Sequence, residues 1–279
     1  MSTTASSDSR GRIWLSALAG PGTAVEGTST VLAADAPLGG EPARFIAVVP
    51  DPANRFPRAR HGEVGLDEGW GLAAAVRSVI EADRGGTLRV RRPIVAVVDV
   101  TSQAYGRQEE MLGIHLACAA AADAYASARL AGHPVVALLV GKAMSGAFLA
   151  HGYQANRILA LADDGVLVHA MGREAAARVT RRTVAELDRL GEQIPPMAYG
   201  IRSYAGLGLL HRLIEGVSAE APGAADVERV RAELAAAVAD IRTSGDRGLS
   251  SRLTSPSPQQ GRPASIEVRR RLAEQWDAE

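Results

Sequence analysis

The run from Pro134 to Tyr153 constrains this chain more than any other stretch. Its first part, Val135 to Val140, is unbroken, apolar and rich in β-branched residues. Such a run reads as a strand buried on both faces, as in a parallel sheet. Gly141 is expected to end the strand, and after a small-residue turn Ala147 to Ala150 read as helix. Ser145 is the expected N-cap. Gly146 is the place where a ligand can approach the helix start, in a backbone conformation that a Cβ would disfavour. Strand, glycine turn and helix in that order present unpaired N–H groups and the positive end of the helix dipole to the crevice beyond the strand. That arrangement can stabilise an oxyanion without a charged side chain. The same residues are equally compatible with a glycine-bearing turn that does no chemistry.

A chain of 279 residues can bury a sizeable core, as one large α/β domain or two small ones. Lys plus Arg and Asp plus Glu stand at 31 each, so no long-range field argues for nucleic acid or an anionic membrane as partner. Aromatics make up only 4%, and the core must come mainly from Ala, Val, Leu and Ile. The single Cys118 excludes an intrachain disulfide framework and a multi-Cys metal site. In its Ala-rich surroundings it reads as a small buried hydrophobe. The six histidines lack the spacing of a zinc site, His151 and His169 being isolated, and no metal is expected. The N-terminus has no apolar signal core and no uncharged run is long enough to span a bilayer, so a cytoplasmic location is expected.

Four regions follow from composition: a polar N-terminal segment (1–30), a main α/β domain (31–244), a Ser/Pro/Gln-rich flexible linker (245–263) and a basic closing helix (264–279). The first convincing strand is Phe45 to Val49. Leu66 to Asp83 reads as a helix from the spacing of Leu72, Val76, Val79 and Ile80, stopped by Gly85-Gly86. Ile94 to Val100 is a second buried strand, and the polar loop after it is a usual place for ligand contacts. Arg58, Arg60 and His61 cluster in an earlier loop, where a solvated surface is the commoner meaning. One long helix is expected from Glu109 to Leu130. Further strands are expected at Arg157 to Leu161 and Val166 to Val168, with His169 at the strand end, and a further helix at Val227 to Ile241.

These motifs resemble the crotonase superfamily, α/β proteins of stacked ββα units with peripheral helices. Asp99 to Gly106 is similar to the Asp-Thr-Pro-Gly-Ala-Tyr-Pro-Gly loop of the α-type half of acyl-CoA carboxyltransferases, and Gly141 to Phe148 to its glycine-rich turn. Three segments resemble the γ subunits of biotin-independent malonate decarboxylases more closely: Ser102-Gln103-Ala104-Tyr105-Gly106-Arg107, Val140 to Gly152, and Val168-His169-Ala170-Met171-Gly172. The similarity covers about residues 40 to 215.

That resemblance implies a heterodimer with a carboxyltransferase-like β subunit, working with an acyl-carrier subunit and an acyl-carrier transferase subunit. The malonyl group is carried as a thioester on a phosphoribosyl-dephospho-coenzyme A arm, with no cofactor bound directly and no biotin. It implies Gly146 and Ala147 as backbone donors to an enolate oxygen, and Tyr105, Gly106 and His169 at the catalytic end. Tyr105 and His169 are the candidate proton donors, with water as a third source. Ser145, Gly141, Met171 and Gly172 would line the substrate. The chain departs from the carboxylase pattern at Thr101-Ser102-Gln103, where that family has Thr-Pro-Gly, and at Ala147, so biotin contacts do not carry over.

Two other readings stand. Ser145-Gly146-Ala147-Phe148-Leu149 resembles the nucleophile setting of caseinolytic-type serine peptidases, with His169 as base and Asp188 or Asp226 to orient it. A non-catalytic subunit that only completes its partner's pocket would carry the same glycine turn.

Overall fold

The computed structural model describes residues 9–84, 90–254 and 261–276. Among them the core is an eight-stranded sheet in the order β1 (Thr23–Ala24), β2 (Val31–Leu38), β3 (Glu41–Val48), β4 (Ile94–Val100), β5 (Val135–Met144), β6 (Arg157–Leu161) and β8 (Arg212–Ile214), with β7 (Leu167–His169) attached to β5. β1, β2 and β3 pair antiparallel, and every later pairing is parallel. Ile94 to Val98 and Val135 to Val140 are wholly buried, which is why both strands read as continuous apolar runs.

Two helix pairs cover the sheet. α1 (Arg10–Ala19) packs with α9 (Ala224–Ser244), and α2 (Leu66–Arg84) packs with α4 (Ile114–Leu130). On α4 the residues Ala117, Ala121, Ala124 and Ala128 recur every three or four positions, and all are fully buried. The α2 and α4 backbones nearly touch: a Cβ on Gly69 would lie 2.7 Å from the Ala117 carbonyl. Close helix approach replaces the aromatic bulk this chain lacks.

β5 decides where the cavity lies. Gly141 does not end it, contrary to expectation, because the missing side chain serves packing rather than a turn. A Cβ there would come 2.1 Å from Asp99 Oδ1. Asp99 accepts from Lys142 N at 3.0 Å and from Gly11 N at 3.2 Å, tying β4, β5 and α1 together. The first half of β5 pairs with β6, and Lys142 to Met144 then leave β6 to pair with β7.

The expected helix from Glu109 to Leu130 is two helices, α3 (Arg107–Met111) and α4, divided at Gly113 with φ +83°. After β7 come α5's downstream neighbours α6 (Arg173–Thr180), α7 (Val184–Gln193) and α8 (Ile201–Gly206), α5 itself being Ser145–Ala150. Residues 1–30 are not merely polar. α1 lies among them and buries Trp14, Leu15 and Leu18 completely, with Trp14 Nε1 donating to Ala219 O at 2.9 Å. β2 had no clear signature, since alternation fails along its Ala-rich sequence. The stop at Gly85-Gly86 lies outside the described residues.

The described part of 245–263 is fastened to the body, unlike the flexible linker expected there. It carries α10 (Ser251–Thr254), and arginines bind it through carbonyl oxygens. Arg129 donates to Arg247 O, Arg247 to Leu130 O at 2.9 Å, Arg252 to Ala155 O, and Arg262 to Leu207 O at 2.9 Å. α11 (Pro263–Trp276) buries none of its residues. Among the described residues no helix is long and apolar enough to cross a membrane.

Gly69→Val places two methyl groups where α2 and α4 have no room. Overpacking of this kind costs about 1–3 kcal/mol, more than the few tenths gained in helix propensity. The thermal unfolding midpoint should drop accordingly. An unchanged midpoint would show that the helices separate freely.

Candidate active site

A cavity of about 520 Å³ opens where β4, β5 and β7 end, the crevice expected of a parallel sheet. Gln103 and Tyr105 enter it from the loop after β4, Ser145, Gly146, Phe148 and Leu149 from α5, and His169 and Ala170 from the end of β7. Tyr153, Tyr204, Leu207 and Leu209 supply much of the apolar wall. Among the described residues no Arg, Lys, Asp or Glu lines it.

Ser145 is not the N-cap. Met144 holds that place in extended conformation, and Ser145 has φ +59°, a left-handed value that costs a non-glycine residue roughly 1–3 kcal/mol. Its hydroxyl is hydrogen-bonded to the Tyr105 phenol. Gly146 needs no unusual φ. Its constraint is steric: a Cβ would sit 2.0 Å from Gln103 Oε1. The strained residue is therefore the serine, and the close approach is at the glycine.

His169 is stacked on Tyr199, ring centroids 3.9 Å apart. Its Nδ1 lies 2.9 Å from Met171 O and 3.1 Å from Met171 N, so backbone occupies that nitrogen and leaves Nε2 for a ligand. Burial holds its pKa below the usual imidazole value, favouring the neutral ring. Among the described residues no carboxylate orients it. Asp188 pairs with Arg173 at 3.3 Å, and Asp226 accepts from Gly223 N at 3.0 Å at the start of α9. Ser145 bonded to a phenol and His169 held by backbone do not make a serine peptidase triad.

The other candidates divide. Ala147 is fully buried and offers only its backbone. Gly141 faces Asp99 and does not line the cavity, contrary to its expected place beside substrate. Gly106 is the N-cap of α3, closed in by Glu109 and Arg58. Met171 and Gly172 lie just beyond the lining, with Gly172 capping α6. His151 is structural: it is wholly buried, donates from Nε2 to Val97 O at 3.1 Å and accepts the Tyr125 hydroxyl at 3.0 Å. Burial pushes its pKa down to about 4. Burial likewise pushes the Cys118 thiol up to about 11, which keeps it unreactive. Among the described residues no three His, Cys, Asp or Glu side chains gather as metal ligands. Gln103, Tyr153, Tyr204 and Leu207 line the cavity without being site candidates in the sequence. Gln103 was visible as a departure from the carboxylase loop, whereas the other three reach the cavity only through folding.

The sheet places the chain in a fold class first. It superposes on transcarboxylase 12S with TM-score 0.62 and 21% identity, over 83% of this chain and 41% of that one, a likeness of fold to the crotonase-type carboxyltransferases. The malonate decarboxylase gamma subunit family matches residues 59–276, and the chain belongs to that family. A chain of the Pseudomonas malonate decarboxylase hetero-tetramer, crystallised with coenzyme A, is 58% identical with TM-score 0.90, over 96% of this chain and 100% of that one. The Pseudomonas MdcD–MdcE hetero-dimer matches at 58% identity and TM-score 0.87 over the same shares. Malonyl-S-ACP:biotin-protein carboxyltransferase MADD of Malonomonas rubra is 36% identical over 200 residues, 71% of this chain. The chain spans 65% of the length of that curated relative.

Two outcomes follow from this geometry. Ser145→Ala removes a bond to Tyr105 but no cap, so stability should fall by less than the roughly 1 kcal/mol of a lost N-cap, and a fluorophosphonate should leave Ser145 unlabelled. Labelling in proportion to lost activity would restore the peptidase. His151 is neutral when folded and takes a proton near pH 6.5 when unfolded, so the unfolded state binds more protons between about pH 6.5 and 4. Stability should therefore fall by about 2 kcal/mol from pH 7 to pH 5 through this ring. His151→Gln should flatten the denaturant-measured pH profile by that amount, and an unchanged profile would refute the assignment.

Proposed function

We propose that this chain, paired with a carboxyltransferase-like β subunit, converts a malonyl thioester to an acetyl thioester and CO2. The malonyl group is presented by an acyl-carrier subunit on a phosphoribosyl-dephospho-coenzyme A arm, loaded by an acyl-carrier transferase subunit, and the reaction needs no biotin. The observation that carries this reading is a large cavity whose polar groups are all uncharged.

Decarboxylation breaks the bond between the α-carbon and the carboxylate. The electron pair moves into the thioester, giving an enolate, and CO2 leaves neutral. A cation at the carboxylate would stabilise a charge that must vanish, and so raise the barrier. Donors belong instead at the thioester oxygen. Gly146 and Ala147 lie in the first turn of α5, where N–H groups have no intrahelical partner, and each such donor typically contributes about 2.7–4 kcal/mol. The α-carbon is then protonated. Tyr105 is the phenol hydrogen-bonded to Ser145 beside that turn, half exposed, and neutral His169 is the alternative through Nε2.

The arm fits as substrate. About 520 Å³ suits a thioester and the apolar end of its arm against Phe148, Leu149 and Leu207, while the arm's phosphates find no cation among the lining residues and must stay outside. Tyr105, Leu149 and Met171 are each more than a third exposed at or beside the mouth, a rim suited to cover by the β subunit.

The test is CO2 release from purified malonyl-thioester carrier, with assembly checked by gel filtration. Gly146→Val pushes into the flexible end of Gln103 and not into backbone, so the complex should assemble and lose decarboxylation. Full activity in that assembled complex would move the oxyanion site to the partner and leave this chain a scaffold. Tyr105→Phe should slow turnover by about 10²–10⁴ if the phenol is the acid. An unchanged rate would pass that role to His169 or water.

A further inference from the structure

Gln103 reaches the cavity from a backbone with little freedom. Residue 103 forms a parallel bridge with Val64, in which Val64 N donates to Ser102 O and Ala104 N to Val64 O, each at 2.9 Å. Ser102 Oγ donates to the Gln103 carbonyl at 2.7 Å. Behind the bridge the fully buried Glu68 carboxylate accepts from Gly65 N at 2.9 Å and Asn54 Nδ2 at 2.8 Å. Ala104 is buried in the small core of Phe56, Leu66 and Ile114. From this mount the side chain crosses to α5 and lies on Gly146, its Oε1 filling the space a Cβ would take.

The carboxamide lines the cavity and has no hydrogen-bond partner among the described residues. Its polar neighbours are engaged, Tyr105 with Ser145 and His169 Nδ1 with Met171. A primary amide has two donors and one acceptor oxygen. With the oxygen turned to Gly146, the two donors on Nε2 are left for a ligand.

We propose that Gln103 is the specificity-determining residue of this cavity, donating from Nε2 to the free carboxylate of the acyl group and so selecting malonyl-type thioesters over simple acyl thioesters. This rests on the proposed decarboxylation at the same site. The residue type follows from the charge to be handled. The carboxylate needs a donor to be recognised, and a neutral amide holds it less tightly than a guanidinium would, so less is lost as CO2 departs uncharged.

The test uses the assembled complex and one carrier loaded with either malonyl or acetyl thioester. The readouts are KM and kcat for malonyl-carrier and the competitive Ki of acetyl-carrier. Gln103→Ala should raise KM for malonyl-carrier at least tenfold, change kcat less than threefold and leave Ki for acetyl-carrier within twofold. Gln103→Glu, similar in shape but anionic, should weaken malonyl-carrier further and spare acetyl-carrier; it supplies the same comparison if the alanine variant does not assemble. Equal loss for both carriers, or no change in either, overturns the proposal and leaves Gln103 as packing for Gly146. Should the wild-type complex release no CO2, the underlying reading fails instead, and titration calorimetry of the two carriers on wild type and Gln103→Glu judges the selectivity by itself.

Discussion

A carboxylate pressed onto a glycine, Asp99 against Gly141, is the contact on which the rest of this architecture depends. One oxygen of Asp99 occupies the space where a side chain at 141 would stand and accepts the next N–H of β5; the other accepts an N–H from the first turn of α1. Three elements far apart in sequence are thereby fixed to one another. β5 can then run on beyond the reach of β6, pair with β7 and deliver the Ser145–Gly146 turn to the crevice. A side chain at 141 would expel Asp99 and separate those elements.

The periphery is held by a different device. The buried Arg129 and Arg252 donate to main-chain carbonyls, and the equally buried Arg157 joins the Asn156 carbonyl to the Asp240 carboxylate. The fork of fixed donors suits this task, since one arginine can bind carbonyls of two segments at once, as Arg129 does with Gln154 and Arg247. An ammonium offers no such planar reach, and Lys142 is the only lysine in the chain.

The cavity itself combines strain with neutrality. Ser145 is kept in a left-handed conformation between a strand and a helix that both resist adjustment, so its hydroxyl is presented to Tyr105 at a fixed angle. The polar side chains that line it, Gln103, Tyr105, Ser145, Tyr153, Tyr204 and neutral His169, can exchange hydrogen bonds without bringing a fixed charge. Such a site suits a reaction in which charge moves within the substrate and one product leaves uncharged.

The sequence by itself determined the parallel core and the three segments that meet at the cavity. β4, β6 and the start of β5 were legible because a strand covered on both faces is apolar along its middle, Asp99 and Arg157 standing near strand ends, and the motifs around Tyr105, Ser145 and His169 marked three chain segments that do meet. Local signals failed where a distant partner decided the outcome. Gly141 looks like a strand end until Asp99 is beside it, Ser145 looks like a cap until Met144 takes that role, and Gly113 interrupts what reads as one helix. α1 was obscured because its apolar face is short, although it seals the core. Only the tertiary structure brought Tyr204 and Leu207 to the cavity wall and laid Gln103 across Gly146. Periodicity reports which face of an element is buried; it carries no information on which remote side chain fills the space beside a glycine.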